Sequence, residues 1–240
     1  MRIAYVTDQV LPQTATDTRQ TVTMAAALGA AGAQVTLVTP RRWTRHKEAP
    51  REEVAAYYEV VPRFEMATQR SLYPGIRGIE KLAQGLAGPR APAARRADLV
   101  YTRTLPILLG ALLAGRPVVY ETYRPWPQQK PASAPFFRWL GRRKNFLGAV
   151  LHSRLATDSY AHAGVPREKL LTAHNGYDPS VLEPRRSRTE ARRACGLSPE
   201  RPTVVYTGRV KMEKGLGLVL DMAAALPIVV SDIGNWTEVV

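Results

Sequence analysis

The sequence predicts an α/β protein, with a doubly wound parallel sheet at the N-terminal end and a smaller second part of the same kind. Three observations carry this. A β-rich run at residues 3–6 (Ile-Ala-Tyr-Val) closes on the polar pair Thr7 and Asp8, as a buried strand does where its carboxyl end opens onto a site. The order strand, helix, strand then recurs along the chain, which is the signature of stacked parallel units. A turn-rich segment, Asn175-Gly176-Tyr177-Asp178-Pro179, and a charged, proline-containing stretch at 183–188 separate these units from a further one.

Taken in order, the first strand is followed by a helix. Asp17 and Gln20 have the spacing of a capping box, Val22, Ala25, Ala26 and Leu28 share a face, and Gly29 and Gly32 stop it. Residues 35–39 form the second strand. A third strand at 98–101, an apolar helix at 105–114 and a strand at 117–120 repeat the pattern. Residues 40–50 and 85–96, rich in Pro, Gly and Arg, read as surface connections. A basic helix at 136–146, a strand at 148–151, a helix at 154–161 ending at Gly164 and a strand at 170–173 complete this half. Beyond it come a helix at 189–195, a strand at 203–206, a helix at 212–226 and a strand at 228–231. The predicted domains are 1–176 and 177–240, and the second is short for an independent domain, which falls usually in the range of roughly 100 to 150 residues.

Composition narrows the class. With 240 residues, 45% of them hydrophobic and 22% charged, the chain can bury a sizeable core and does not read as disordered. The apolar stretch at 105–115 is too short for a bilayer, and Asp8 interrupts the N-terminal run before a signal-peptide core forms, so the expected location is the cytoplasm. A single cysteine, Cys195, makes neither an internal disulfide nor a thiolate cluster, and no metal site is expected. Lys plus Arg number 34 against 20 Asp plus Glu, a net charge of +14 that suits phosphorylated substrates, anionic lipid or nucleic acid. Only seven of these cations are lysine, as biased genome composition would produce. With no aromatic-plus-basic RNA motif or helix-turn-helix pattern, no specific nucleic-acid partner is expected.

Chemistry concentrates in two places. From Asp8 to Leu28 there is no glycine, so the first loop has neither a dinucleotide fingerprint nor a Walker-type phosphate loop. Asp8, Thr16, Asp17 and Thr18 nevertheless stand at the carboxyl edge of the sheet, and Asp17 also serves as a helix cap in this reading. In the second half the strand at 203–206 runs into Thr207-Gly208-Arg209, with Lys211 and Lys214 entering the next helix. Gly208 lets the backbone approach a ligand, Arg209 can grip phosphate oxygens in a bidentate way, and Lys214 adds a point charge. A cationic turn in an already cationic protein reads equally well from spacing alone. The segment Phe136-Phe137-Arg138-Trp139-Leu140 with Arg142, Arg143 and Lys144 can set aromatics against cations and so meet a membrane surface, or pack on the sheet with its arginines outward. His46, His152, His162 and His174 lack metal-ligand spacing and read as structural or surface residues, and Trp43 and Trp126 as packing residues in loops.

The run Thr-Gly-Arg-Val-Lys-Met-Glu-Lys-Gly-Leu at 207–216 resembles the Gly-Arg-x-x-x-x-Lys-Gly motif of the GT4-type retaining glycosyltransferases, which have two Rossmann-like domains in the GT-B arrangement. Ser153-Arg154, Gly164-Val165-Pro166 with Glu168-Lys169, and His174-Asn175-Gly176-Tyr177-Asp178 are similar in order and spacing to that family's run through the inter-domain crossover. Residues 228–238 resemble its Pro-Val-Val-x-x-Asp-x-Gly-Gly-x-x-Glu segment. The resemblance implies a Rossmann-like acceptor-side domain and a truncated Rossmann-like domain for a nucleotide-diphosphate sugar. It implies a glycan, lipid or small-molecule acceptor, and no cofactor beyond the donor substrate. It puts Gly208, Arg209 and Lys214 on the donor diphosphate and offers Asp17, Glu121, Tyr123 and Asn175 as acceptor or cleft residues, while assigning no catalytic residue.

Three departures accompany it. Thr14-Ala15-Thr16-Asp17 replaces the family's glycine pair, and Tyr123 takes the place of a histidine after the mid-domain strand. The paired glutamates that contact the donor sugar have no counterpart between Leu226 and Ile228; Glu213 and Asp221 share their seven-residue gap but fall out of register. The expectation is a chain with an internal deletion after Pro227 and an early C-terminal end, of impaired activity. The alternative is a noncatalytic remnant that binds phosphorylated ligands or a protein partner.

Overall fold

The computed structural model describes residues 1–41, 49–70, 77–176, 183–206, 215–223 and 228–230. The chain forms two units, Met1–Asn175 and Gly176–Val240.

In the first unit seven strands pair in parallel: β1 (Arg2–Val6), β2 (Gln34–Arg41), β3 (Glu65–Arg70), β4 (Leu99–Thr102), β5 (Val118–Thr122), β6 (Phe146–Leu151) and β7 (Leu170–Thr172), in the order β3-β2-β1-β4-β5-β6-β7. β1 lies at the centre, with Tyr5 opposite Leu37 of β2 and Tyr101 of β4. Its continuous apolar run follows from burial on both faces, since successive side chains of a strand point to opposite sides. Ile3 and Tyr5 join a core with Val22 and Ala25 of α1 (Thr16–Ala30) and Val54 of α2 (Arg51–Tyr57). Ala4 and Val6 join another with Ile107 and Leu108 of α5 (Leu105–Leu113), Phe137 and Leu140 of α7 (Ala134–Gly141) and Tyr160 of α8 (Arg154–His162).

Several sequence readings change here. Asp17 does not cap α1: the N-cap is Ala15, with no side-chain hydrogen bond, and Asp17 sits inside the first turn, where an acid suits the helix dipole. Residues 85–96 are not a surface connection. They hold the end of α3 (Arg77–Ala87) and α4 (Pro92–Arg96), with Gly88, Pro89, Ala91 and Ala94 buried. Gly85 and Gly110 allow α3 and α5 to touch, since a Cβ on Gly110 would lie 1.8 Å from the Gly85 carbonyl oxygen. Of 40–50, Pro40 and Arg41 extend β2, while 42–48, with Trp43 and His46, lie outside the described residues. The basic helix is shorter than expected, because α7 ends at Gly141 and Phe146 opens β6. Trp126 begins a short helix, α6 (Trp126–Gln129), rather than lying in a loop. Gly164 does terminate α8, in the left-handed conformation at φ 92° that glycine adopts without strain.

The second unit contains α9 (Arg188–Ala194), β8 (Val204–Tyr206), α10 (Leu216–Ala223) and β9 (Ile228–Val230). β8 and β9 pair in parallel, with Val204 opposite Ile228. α9 opens with a capping box in which Ser187 Oγ accepts from the Glu190 backbone N–H and the Glu190 carboxylate accepts from that of Ser187. No helix among the described residues is long and apolar enough to cross a membrane.

Candidate functional site

Strand order reverses beside β1: the chain steps outward from β1 to β2 and β3, then returns to β4 on the other side and continues to β7. At such a switch point the connections leave in opposite directions, and a crevice opens past the carboxyl ends of the strands. Three strands end here in the same local device. Thr7, Thr102 and Thr122 each accept, on their hydroxyl oxygen, the backbone N–H two residues on, at 3.2, 3.3 and 3.1 Å. These turns release the chain from the sheet and deliver Asp8, Arg103 and Tyr123 to a cleft of about 830 Å³.

The floor of the cleft is Glu121, buried in β5. His152 Nε2 lies 2.9 Å from Glu121 Oε1, Tyr5 donates its hydroxyl to Oε2 at 3.3 Å, and Arg103 Nε approaches Oε1 to 3.7 Å. Burial pushes this carboxyl up, but the His152 hydrogen bond and the Arg103 guanidinium outweigh it and hold Glu121 below the ordinary carboxylate range. Glu121 is therefore an anion at neutral pH and an acceptor only. Burial, reinforced by the Glu121 charge, raises the Tyr5 and Tyr101 phenols, which stay neutral. Arg103 is 11% exposed, and its Nη1 has no hydrogen-bond partner among the described residues.

A second carboxylate lies across the cleft. The Asp8 side chain is 8% exposed, with Lys81 Nζ 3.7 Å from its Oδ2. Burial raises its pKa against the pull of Lys81, and Asp17 pushes the same way as burial. Asp17 also lines the cleft and accepts from the Gln9 amide. The rim carries aromatics. The Arg124 guanidinium lies 5.1 Å from the Trp126 ring centroid and donates through Nε to the Tyr123 hydroxyl at 3.2 Å, and Trp126 Nε1 donates to the Tyr120 hydroxyl at 3.2 Å.

Of the residues singled out by sequence, the structure brings Asp17, Glu121 and Tyr123 to one cleft. Asn175 is exposed at the end of the first unit and is not among the lining residues. Gly208, Arg209 and Lys214 lie outside the described residues. Arg103 and Lys81 went unread, and His152, expected to be a structural or surface residue, is the hydrogen-bond partner of Glu121. The available signal was position: Arg103 and His152 immediately follow the last residue of a parallel strand, and Asp8 stands two residues beyond one. Among the described residues, no three His, Cys, Asp or Glu side chains group to hold a metal ion.

A parallel sheet with this order and a cleft at its switch point is a Rossmann-like α/β fold, the kind of fold seen in GT-B glycosyltransferase structures. Residues 18–181 match Glycosyltransferase Family 4, more than half of the chain, and the chain belongs to that family. Among solved structures it is similar to Anabaena Alr3699/HepE in complex with UDP and glucose, at 16% identity and TM-score 0.59 over 96% of this chain and 60% of that one. It is similar to sucrose-phosphate synthase from Thermosynechococcus elongatus, at 14% identity and TM-score 0.65 over 95% and 61%. It is also similar to UDP-N-acetylglucosamine 2-epimerase from Rickettsia bellii, at 10% identity and TM-score 0.52 over 99% and 63%. These likenesses establish the fold, which an epimerase shares with transferases. The chain spans about 60% of the length of the first of these structures. No curated protein matches the sequence.

Proposed function

We propose that this chain is a nucleotide-sugar glycosyltransferase of retaining type, acting in the cytoplasm or at the inner face of its membrane. Residues 1–176 receive a glycan, lipid or small-molecule acceptor, and residues 177–240 bind the donor diphosphate. The observation that carries this reading is the ionised Glu121, fixed by His152 and Arg103 at the floor of a switch-point cleft within the family match. Such a carboxylate can accept a hydrogen bond from an acceptor hydroxyl and fix its direction. The HepE complexes with UDP and with UDP-glucose support a nucleotide-sugar donor.

On the donor side the resemblance assigns the leaving diphosphate to Gly208, Arg209 and Lys214, cations suited to charge that builds as the sugar departs. Without a counterpart of the paired sugar-contacting glutamates, turnover is slow, and that same departure favours the second reading, a noncatalytic binder of phosphorylated ligands. Titration calorimetry with UDP tests the shared part of both readings. Arg209→Ala and Lys214→Ala should each weaken binding by about 1 to 3 kcal/mol, the range for a hydrogen bond to a charged group. Equal affinity in all three proteins removes the assignment. Nucleotide release from a panel of nucleotide sugars then separates the readings: release above the buffer rate identifies the transferase, and UDP binding without release identifies the remnant.

A further inference from the structure

Helix α3 is built inside out. In an ordinary surface helix the apolar stripe faces the core and the polar stripe faces water. Here Gln84 is buried and donates from Nε2 to the Thr7 carbonyl at 3.0 Å, while Glu80 and Lys81 line the cleft. The apolar residues Ile79, Leu82 and Leu86, spaced to share one face, point away, with Leu82 61% and Leu86 53% exposed. The neighbouring helix continues the surface. Gly85 rests against Gly110, so the helices meet at their backbones, and α5 exposes Leu109 and Leu113 one turn apart, the latter at 72%. Five large aliphatic side chains on two adjoining helices form a patch that a monomer in water rarely leaves open.

Charge identifies what covers it. From Arg77 to Arg116 the sequence holds seven cations and two acids; Lys81 and Arg103 are engaged by Asp8 and Glu121 in the cleft, while Arg90, Arg95 and Arg96 are exposed outside it. Neither acid is free to oppose an anionic surface, since Glu80 turns into the cleft and Asp98 pairs with Arg2 at 3.0 Å. α5 carries no charged residue. Arg90 bonds the Leu86 carbonyl at 2.7 Å, which fixes a cation at the end of the stripe, and Arg95 and Arg96 of α4 are exposed nearby. A second copy of a chain with net charge +14 would bring like charges together around this patch.

We propose that the α3–α5 face docks on an anionic phospholipid surface, its leucines entering the headgroup boundary and its arginines meeting lipid phosphates. This goes beyond the transferase reading in its contact, and rests on that reading in its consequence. Because Glu80 and Lys81 of the same helix line the cleft, docking sets the cleft beside the headgroups and selects an acceptor whose polar group is carried on a lipid. The docking helices are therefore α3 and α5 rather than α7, where Phe137 and Leu140 are buried in the core and the one large exposed apolar side chain, Trp139 at 39%, has the Arg143 guanidinium 4.3 Å from its ring centroid.

The test is co-sedimentation of the full chain with vesicles of equimolar phosphatidylglycerol and phosphatidylcholine, and with phosphatidylcholine alone. The wild type should partition onto the anionic vesicles at least about tenfold better than onto the neutral ones. Leu82→Gln with Leu86→Gln, at exposed positions and with a far-ultraviolet dichroism matching the wild type, should lose at least about tenfold of that binding, and Trp139→Gln should retain it. Unchanged binding in the leucine variant, loss in Trp139→Gln alone, or absence of wild-type binding overturns the proposal. A concentration-dependent dimer that the leucine substitutions dissolve, without vesicle binding, also overturns it and assigns the face to a second copy. None of these readouts uses sugar transfer, so an inactive chain that binds vesicles refutes the transferase reading and leaves the docking face standing.

Discussion

Glu121 is the residue on which the cleft turns, because one buried carboxylate oxygen serves both His152 and Arg103. Its amide would still accept a hydrogen bond but would leave the Arg103 guanidinium in a largely water-excluded place without a counter-charge. Glu121→Gln should therefore cost about 3 kcal/mol in urea unfolding at neutral pH, the lower end for a broken buried pair. The pH dependence follows from the direction of the shift. A carboxyl held below its ordinary value binds a proton less readily folded than unfolded, so its contribution is full above the ordinary value of 4.5 and disappears as the pH falls through the lower folded value. Asp8, raised by burial, acts with the opposite sign, so the raw stability curve of the wild type mixes the two. The difference between wild type and Glu121→Gln isolates Glu121. It should shrink steadily on acidification below pH 4.5, and a difference that stays constant would show that the charge is not what the site depends on. This cluster was not legible as a cluster. Arg103, Glu121 and His152 are far apart in sequence, and only the order in which β4, β5 and β6 lie side by side brings them together.

At the level of elements, legibility tracked burial. β1, β2, β4, β5, β6 and β7 follow apolar runs or short β-rich stretches, whereas β3, Glu-Met-Ala-Thr-Gln-Arg, is an edge strand in which four of the six residues are polar, and it gave no periodicity to read. α3 was hidden for a different reason. Its glycines read as punctuation, yet Gly85 is there for helix contact, and its apolar face looks outward, contrary to the rule by which amphipathic helices are recognised. That contact gives a test of the element. A methyl group on Gly110 would meet the Gly85 carbonyl at 1.8 Å, backbone that cannot turn aside as a side chain can. Gly110→Ala should destabilise the protein by about 1 to 3 kcal/mol, the range for overpacking, despite the better helix propensity of alanine. It should also reduce vesicle binding by tilting α3 away from α5. A thermal midpoint equal to or above that of the wild type would mean that the two helices do not cross at their glycines.

For the whole molecule, the described cores lie on the two sides of a single sheet. Both hydrophobic clusters, from Ile3 to Val165, are composed of residues of the first unit, and the central strand contributes to each. The described part of the second unit, by contrast, has one pair of three-residue strands. A sheet closed by helices on both faces meets the requirement for independent folding, while two short strands do not. Residues 1–175 expressed alone should therefore fold, with the far-ultraviolet dichroism of an α/β protein and a thermal midpoint within a few degrees of the main transition of the full chain. The same fragment should keep vesicle binding, since α3 and α5 are inside it, and should lose UDP binding if Arg209 and Lys214 carry it. A fragment that is unfolded, or that melts far below the full chain, would mean that the second unit supplies stability the two cores do not. Such a fragment could say nothing about where UDP binds, whereas a folded fragment that still binds UDP would move the donor site into the cleft beside Glu121.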